Sequence, residues 1–159
     1  MGATRSVIPD FIAPIQIEQM YVIDSSFHIE PRPGEDMEQR IGLDFKITNL
    51  SIENGHGKIT IELSASSELI SKDEAAESKM GVSVTVFASA SSDLPDELGD
   101  EQAKDYLLTN ILSMAYAHAK SYIMTLTALS PMGQMILPAI LPIEIVRKKN
   151  ETATKQFCD

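Results

Sequence analysis

The feature that most constrains this chain is a long amphipathic segment, Asp100 to Leu129. Its apolar residues recur at steps of three and four, the spacing that places side chains on one face of an α-helix. The predicted stripe consists of Leu108, Ile111, Leu112, Ala115, Ala119, Tyr122, Ile123, Leu126 and Leu129. A helix of this length spans about 45 Å at about 1.5 Å per residue. It therefore needs a broad apolar surface to cover, which the rest of the chain must supply.

Four segments before this helix have the composition and alternation of β-strands. They are predicted at residues 15–30, 39–53, 58–69 and 79–91. In the last three, apolar residues occupy one face and polar residues the other, which is typical of an antiparallel sheet covered on one side. The connections are too short for the crossovers that parallel strands require. Asn54-Gly55 is a strong hairpin signal, and the broken alternation near Asp24 predicts a bulge.

These elements predict an α+β fold, a four-stranded antiparallel sheet covered on one face by one long helix. Residues 1–14, which contain Pro9 and Pro14, are predicted to form an irregular arm. Residues 15–146 are predicted to form a single domain, and residues 147–159 a polar tail that frays. Because the sheet is one-sided and its first strand is exposed, pairing between subunits is favoured. We therefore expect a homo-oligomer, either a dimer or a tetramer.

Charge and cysteine content exclude several classes of protein. The chain carries 13 basic and 23 acidic residues, a formal net charge of -10, whereas binding to nucleic acid needs a basic face. The chain has no run of 18 apolar residues, so membrane insertion is not expected. Its single cysteine, Cys158, allows no intrachain disulfide, which favours a cytoplasmic location.

The residue types that support catalysis are present only in isolation. His28, His56 and His118 form no pair with metal-ligand spacing, and Cys158 has no ordered basic neighbours predicted around it. A nucleophile elbow, a phosphate-binding loop and a dinucleotide fingerprint are all absent from the sequence. The sequence therefore predicts a protein that is not an enzyme and that needs no cofactor or metal.

The segment from Pro131 to Val146 holds more apolar bulk than a surface loop needs. In one interpretation it packs beneath the long helix or against another subunit. In the other it lines a groove for extended apolar polypeptide, where flexible methionine side chains adapt to varied partners. The residues predicted to line that groove are Phe11, Ile12, Met132, Met135, Ile136, Leu137, Ile140 and Leu141.

Two short motifs and the order of the elements carry a family resemblance. Asn110-Ile111-Leu112, followed by Tyr116-Ala117, is similar to a helix segment of the form N-I-L-x-x-Y-A, with one extra residue before the tyrosine. Ile140-Leu141-Pro142-Ile143-Glu144-Ile145 is similar to a stretch of the form L-x-P-[VI]-[ND]-F. Both forms belong to the SecB family of export chaperones, which this chain resembles over residues 15–146. The family's second helix has no predicted counterpart after Val146.

The resemblance implies a cytoplasmic, homotetrameric chaperone that holds unfolded or partly folded polypeptides in an apolar groove, for protein export or for a dedicated client. It also implies a possible translocase ATPase as partner, docked on acids of the outer sheet face such as Asp44 and Glu62. Two alternatives stay open. The first is a carrier of a lipid-like molecule, in a cavity lined by Phe45, Ile61 and Val84. The second is a structural subunit whose apolar segment only forms an oligomer interface.

Overall fold

The computed structural model describes residues 14–30, 37–71, 78–130 and 133–156. The elements are strands β1 (Ile15–Ile29), β2 (Met37–Glu53), β3 (His56–Ser71) and β4 (Ser78–Asp93), followed by helices α1 (Asp100–Thr127) and α2 (Pro142–Gln156). The strands form one antiparallel sheet in the order β1-β4-β3-β2, so β1 and β2 are its edges. Helix α1 packs against one face, mainly over β3 and β4. The predicted α+β fold is confirmed.

The turn between β2 and β3 has the backbone that its sequence predicts. Asn54 and Gly55 adopt φ angles of 51° and 71°, the left-handed conformation that a tight hairpin turn requires. The predicted irregularity in β1 is also present, as a register shift between Val22 and Asp24 against β4. A second shift follows Ile17. Both are bulges, and they interrupt the regular hydrogen-bonding edge of β1.

The core lies between α1 and the inner face of the sheet, and it is formed largely by the residues that alternation predicts. Ile59, Ile61 and Leu63 of β3 are fully buried, as are the inward residues of β4 from Met80 to Ala90. The helix stripe is correct for its central residues but wrong at its end. Leu129 is 98% exposed, because α1 ends at Thr127 and the Ser130 N–H bonds to the Thr127 carbonyl at 3.0 Å.

Helix α2 corrects two expectations, the absence of a second helix and the fraying of the tail from residue 147. Its first turn is set by Pro142, whose fixed φ suits the first helical position, and by Leu141, whose carbonyl accepts the Ile145 N–H at 3.3 Å. Val146 is only 4% exposed and anchors the helix. The chain is therefore helical through Gln156, because Val146 and the partly buried Ile145 pack against the core and hold α2 in place.

We expect Gly57→Ala to lower the free energy of unfolding by about 1–3 kcal/mol, the usual cost of overpacking. An added Cβ would lie 2.7 Å from Leu107 Cδ1 and 3.0 Å from Leu94 Cδ1, and Leu107 is fully buried. Gly81→Ala is the matched control, because its Cβ would meet only the exposed His28 ring, which can move aside. Equal denaturant midpoints for the two variants would contradict the packing argument.

Candidate functional site

After α1 the chain turns and runs back along the helix as an extended segment, residues 133–141, here called the crossing segment. Three side chains, two from α1 and one from β2, hold its backbone. The Met135 N–H donates to Thr127 Oγ1 at 2.9 Å, and the Tyr116 hydroxyl donates to the Pro138 carbonyl at 2.5 Å. Gln39 Nε2 of β2 donates to the Ile136 carbonyl at 3.4 Å. The crossing segment is therefore tied to both α1 and the β2 side of the sheet.

The Tyr116 hydroxyl is suited to this donor role. Desolvation by burial raises its pKa above the ordinary value, since the phenolate would lose its hydration. The hydroxyl therefore keeps its proton, and with it the bond to Pro138, throughout the neutral range. Stability contributed by this group is lost only as the pH rises above the ordinary tyrosine pKa of about 10.

The crossing segment alternates between buried and exposed side chains, as an extended chain does. Met135 is 5% exposed and Leu137 is fully buried, whereas Ile136 is 53% exposed and Leu141 is 68% exposed. Ile140 is half-buried and packs against the core. The two interpretations of this segment thus apply to different residues: one set of side chains packs beneath the helix and the other faces outward.

This arrangement corrects the predicted groove. Met135 and Leu137 belong to the core of the protomer and present no surface to a ligand. Ile136, Ile140 and Leu141 retain accessible surface, so they remain candidates for contact. Phe11, Ile12 and Met132 lie outside the described residues.

A groove of about 930 Å³ lies between α1 and α2, here called the α1–α2 groove. It is lined by Gln102, Asp105, Tyr106, Thr109, Asn110, Ile143, Val146, Arg147, Asn150 and Glu151. Ile143 is 66% exposed at the start of α2, two residues after the exposed Leu141. This groove was not predicted from the sequence, because no helix was predicted at the position of α2. Pro142 followed by Ile143 and Val146, spaced for one helix face, was the signal available.

The charged side chains that line the groove are two acids, Asp105 and Glu151, and one base, Arg147. Asp105 Oδ1 is buried without a hydrogen-bond partner among the described residues, and Glu151 lies across the groove on α2. Arg147 is engaged by Glu144, at 2.5 Å between Nη2 and Oε2. The groove therefore combines an apolar floor with a carboxylate oxygen that can accept a hydrogen bond.

The two acids proposed for partner docking both lie on the outer face of the sheet, the face away from α1, and both form ion pairs. Glu62 Oε2 is 2.9 Å from Lys46 Nζ, and Asp44 Oδ1 is 3.4 Å from Lys149 Nζ. Phe45, Ile61 and Val84 were suggested to line a cavity for a lipid-like molecule. In the structure they are at most 5% exposed and pack against other side chains of the core.

The described residues contain no group of three or more potential metal-binding side chains. Within the same part of the chain, no helix is long and apolar enough to cross a membrane.

Comparison with solved structures identifies the architecture. The chain is similar to a Mycobacterium tuberculosis protein, the Rv1957 SecB-like chaperone, solved in complex with a ChAD peptide from the Rv1956 HigA1 antitoxin. The TM-score is 0.54 at 15% sequence identity, over 80% of this chain and 91% of that one. The fold is SecB-like.

A second similar structure is a Streptococcus agalactiae protein of unknown function, with a TM-score of 0.46 and 12% identity. The match covers 79% of this chain and 97% of that one. No protein-family model matches the sequence, and neither does any curated protein. The SecB-like fold is thus recognised through the structure, at a sequence identity that shows the fold alone.

Proposed function

We propose that this protein is a non-catalytic chaperone that holds unfolded or partly folded polypeptides on the surface formed by the α1–α2 groove and the exposed side chains beside it. The observation that carries this proposal is the apolar groove of about 930 Å³ adjoining Leu141 and Ile143, both about two-thirds exposed. The SecB-like chaperone with the same fold is described in complex with a peptide, which supports a polypeptide as the ligand.

The proposed contact needs no covalent chemistry. Large exposed apolar side chains gain about 25 cal/mol per Å² when a client covers them. For Leu141 and Ile143 together this is about 1.5–3 kcal/mol, or roughly 10- to 100-fold in affinity. Edge-strand hydrogen bonds from the sheet would add to this through strand addition.

The test of the function is the double variant Leu141→Asp with Ile143→Asp, assayed by light scattering for protection of an unfolded, reduced model protein against aggregation. We expect the wild type to protect, and the double variant to need at least about tenfold more protein. The fold should survive, because the Leu141 carbonyl caps α2 and acidic residues are favourable at a helix N-terminus.

The control for this experiment is Leu129→Asp, which places one negative charge on a 98% exposed leucine just beyond the C-terminal end of α1. We expect it to protect as the wild type does. Equal loss of protection in the control and the double variant would move the client site away from the α1–α2 groove. A wild type that gives no protection would overturn the function itself.

One unpartnered carboxylate oxygen and the net negative charge of the chain predict which client segments bind best. Because Asp105 Oδ1 is unpartnered and the chain has a net charge of -10, we expect apolar segments flanked by lysine or arginine to be preferred. Binding of such a peptide should weaken as salt rises from about 0.05 to 0.5 M, because exposed charges are screened. Fluorescence titration of paired peptides, with lysine replaced by glutamate in the second, measures this preference. Equal affinities would contradict it.

Three finer features belong to the same proposal. We propose a cytoplasmic homo-oligomer, dimer or tetramer, in which subunits contact each other through side chains of β1, where Ile17, Tyr21 and Ile23 are partly exposed. Sedimentation velocity measures the assembly. The client is either a protein for export or a dedicated partner. If a translocase ATPase docks, Asp44 and Glu62 on the sheet are the proposed contacts.

A further inference from the structure

Lys149 of α2 makes three contacts with the edge strand β2. Its ammonium donates a hydrogen bond to the Phe45 backbone carbonyl and lies 3.4 Å from Asp44 Oδ1. It also lies 4.0 Å from the centre of the Phe45 ring, within cation–π range. One side chain thus covers a backbone acceptor, a carboxylate and an aromatic ring at the same point of the sheet edge.

The Phe45 carbonyl marks the free side of β2. Since it reaches Lys149, it points away from β3, which is the partner of β2 in the sheet. In an antiparallel strand, alternate residues direct their N–H and C=O groups to the same side. The backbone groups of Leu43 and Phe45 are therefore those that an added strand would use, and Lys149 occupies the acceptor among them.

The β2 edge is a better template for an added strand than the β1 edge. From Met37 to Ile47, β2 pairs with β3 without a register shift, so its outward backbone groups are regularly spaced. β1 has two register shifts, after Ile17 and after Val22, and bulges disrupt the spacing that strand addition needs. β2 has one register shift, between Ile47 and Asn49. Its edge is therefore the more regular of the two over Met37 to Ile47, the part that Lys149 covers at Phe45.

The contacts of Lys149 are of a kind that a ligand can replace. Its side chain is 49% exposed, so the released ammonium can be hydrated, and partly exposed ion pairs are weak. Phe45 is only 5% exposed with Lys149 in place. Removal of the ammonium would free a backbone acceptor and uncover the ring face that the ammonium covers. A backbone acceptor and an apolar surface are what an extended apolar segment binds.

We propose that Lys149 is a displaceable latch on the β2 edge. An extended client segment displaces its ammonium, donates a backbone N–H to the Phe45 carbonyl and covers the Phe45 ring with an apolar side chain. The latch rests on the proposed function, because it regulates how a polypeptide reaches the edge beside the α1–α2 groove. A client segment can therefore bind at the β2 edge only if it replaces the contacts that Lys149 of α2 makes there.

The test compares Lys149→Met, which removes the charge and the donors but keeps an unbranched side chain, with Lys120→Met on α1. The probe is reduced, carboxymethylated α-lactalbumin. Amide exchange measured by NMR reports on Leu43 and Phe45 with and without the probe, and exchange at the buried Val146 reports whether α2 stays in place. Affinity is measured by fluorescence titration.

We expect the probe to slow exchange at Leu43 and Phe45 by at least about tenfold in the wild type. We expect Lys149→Met to bind it about two- to tenfold more tightly, the effect of one net hydrogen bond that no longer has to be replaced. Lys120→Met should bind as the wild type does.

Each other outcome overturns the latch in a distinguishable way. If the probe binds but amide exchange at Leu43 and Phe45 is unchanged, β2 is not the binding site. The proposed function is then unaffected. Unchanged or weaker affinity in Lys149→Met, with Val146 still protected, shows that the ammonium does not compete with the client. If Val146 loses protection, Lys149 is a structural anchor of α2 and not a latch. A wild type that binds no probe overturns the function and the latch together.

Discussion

Leu137→Ala is expected to lower the free energy of unfolding by about 2–5 kcal/mol, the usual range for a buried leucine replaced by alanine. Leu137 is fully buried within the core although it belongs to an extended, proline-flanked segment. Its loss leaves a cavity between the crossing segment and the rest of the core. Urea denaturation followed by circular dichroism measures the change.

The neighbouring Ile136→Ala is the matched control, because Ile136 is 53% exposed and points away from the core. We expect it to change the free energy of unfolding by less than about 1 kcal/mol, as surface substitutions do. Similar losses in both variants would show that the crossing segment does not alternate as described. The pair also separates stability from client binding, because of the two only Ile136 remains a candidate for contact.

Thr127→Val is expected to lower the free energy of unfolding by about 1–3 kcal/mol, the cost of a buried polar group left without its partner. The buried Thr127 hydroxyl donates to the Ile123 carbonyl at 2.8 Å and accepts the Met135 N–H at 2.9 Å. Valine has nearly the same shape but no hydroxyl, so the Met135 N–H would be buried without an acceptor. The anchor between the end of α1 and the crossing segment would be lost.

Thr125→Val is the control for this variant, since Thr125 also bonds to the carbonyl four residues earlier, that of Ser121, at 3.0 Å. Thr125 is exposed and anchors no other segment, so we expect a change below about 0.5 kcal/mol. Thermal unfolding and amide exchange at Met135 measure both variants. Retained protection of the Met135 amide in Thr127→Val would contradict the anchoring role.

The strands and α1 could be predicted because each has a strong local pattern. Alternation in β3 and β4 matches the burial of Ile59, Ile61 and Val84 closely. The Asn54-Gly55 turn needs positive φ angles that these two residues accept at low cost. Helix α2 could not be recognised in the same way, because Val146 is its one buried apolar side chain among the described residues and its sequence after Val146 is almost entirely polar.

The prediction that Met135 and Leu137 line a groove was wrong for a different reason. Composition shows that residues 131–146 are rich in apolar side chains, but it does not show which of them face the core. That choice is made by hydrogen bonds from distant residues, namely Thr127, Tyr116 and Gln39, which fix the rotation of the crossing segment. Which side chains of this segment pack in the core and which are exposed is therefore decided by the tertiary structure.

By itself the sequence determined the α+β fold class, the four strands and their inward faces, and the long helix that covers them. Local physics suffices there, because side-chain periodicity and turn preferences act within a few residues of each other. Only the tertiary structure decided where the α1–α2 groove lies, which apolar residues remain exposed beside it, and that Lys149 reaches Phe45. Those features join residues that are far apart in the chain, and their positions follow from how α2 packs against α1 and the sheet.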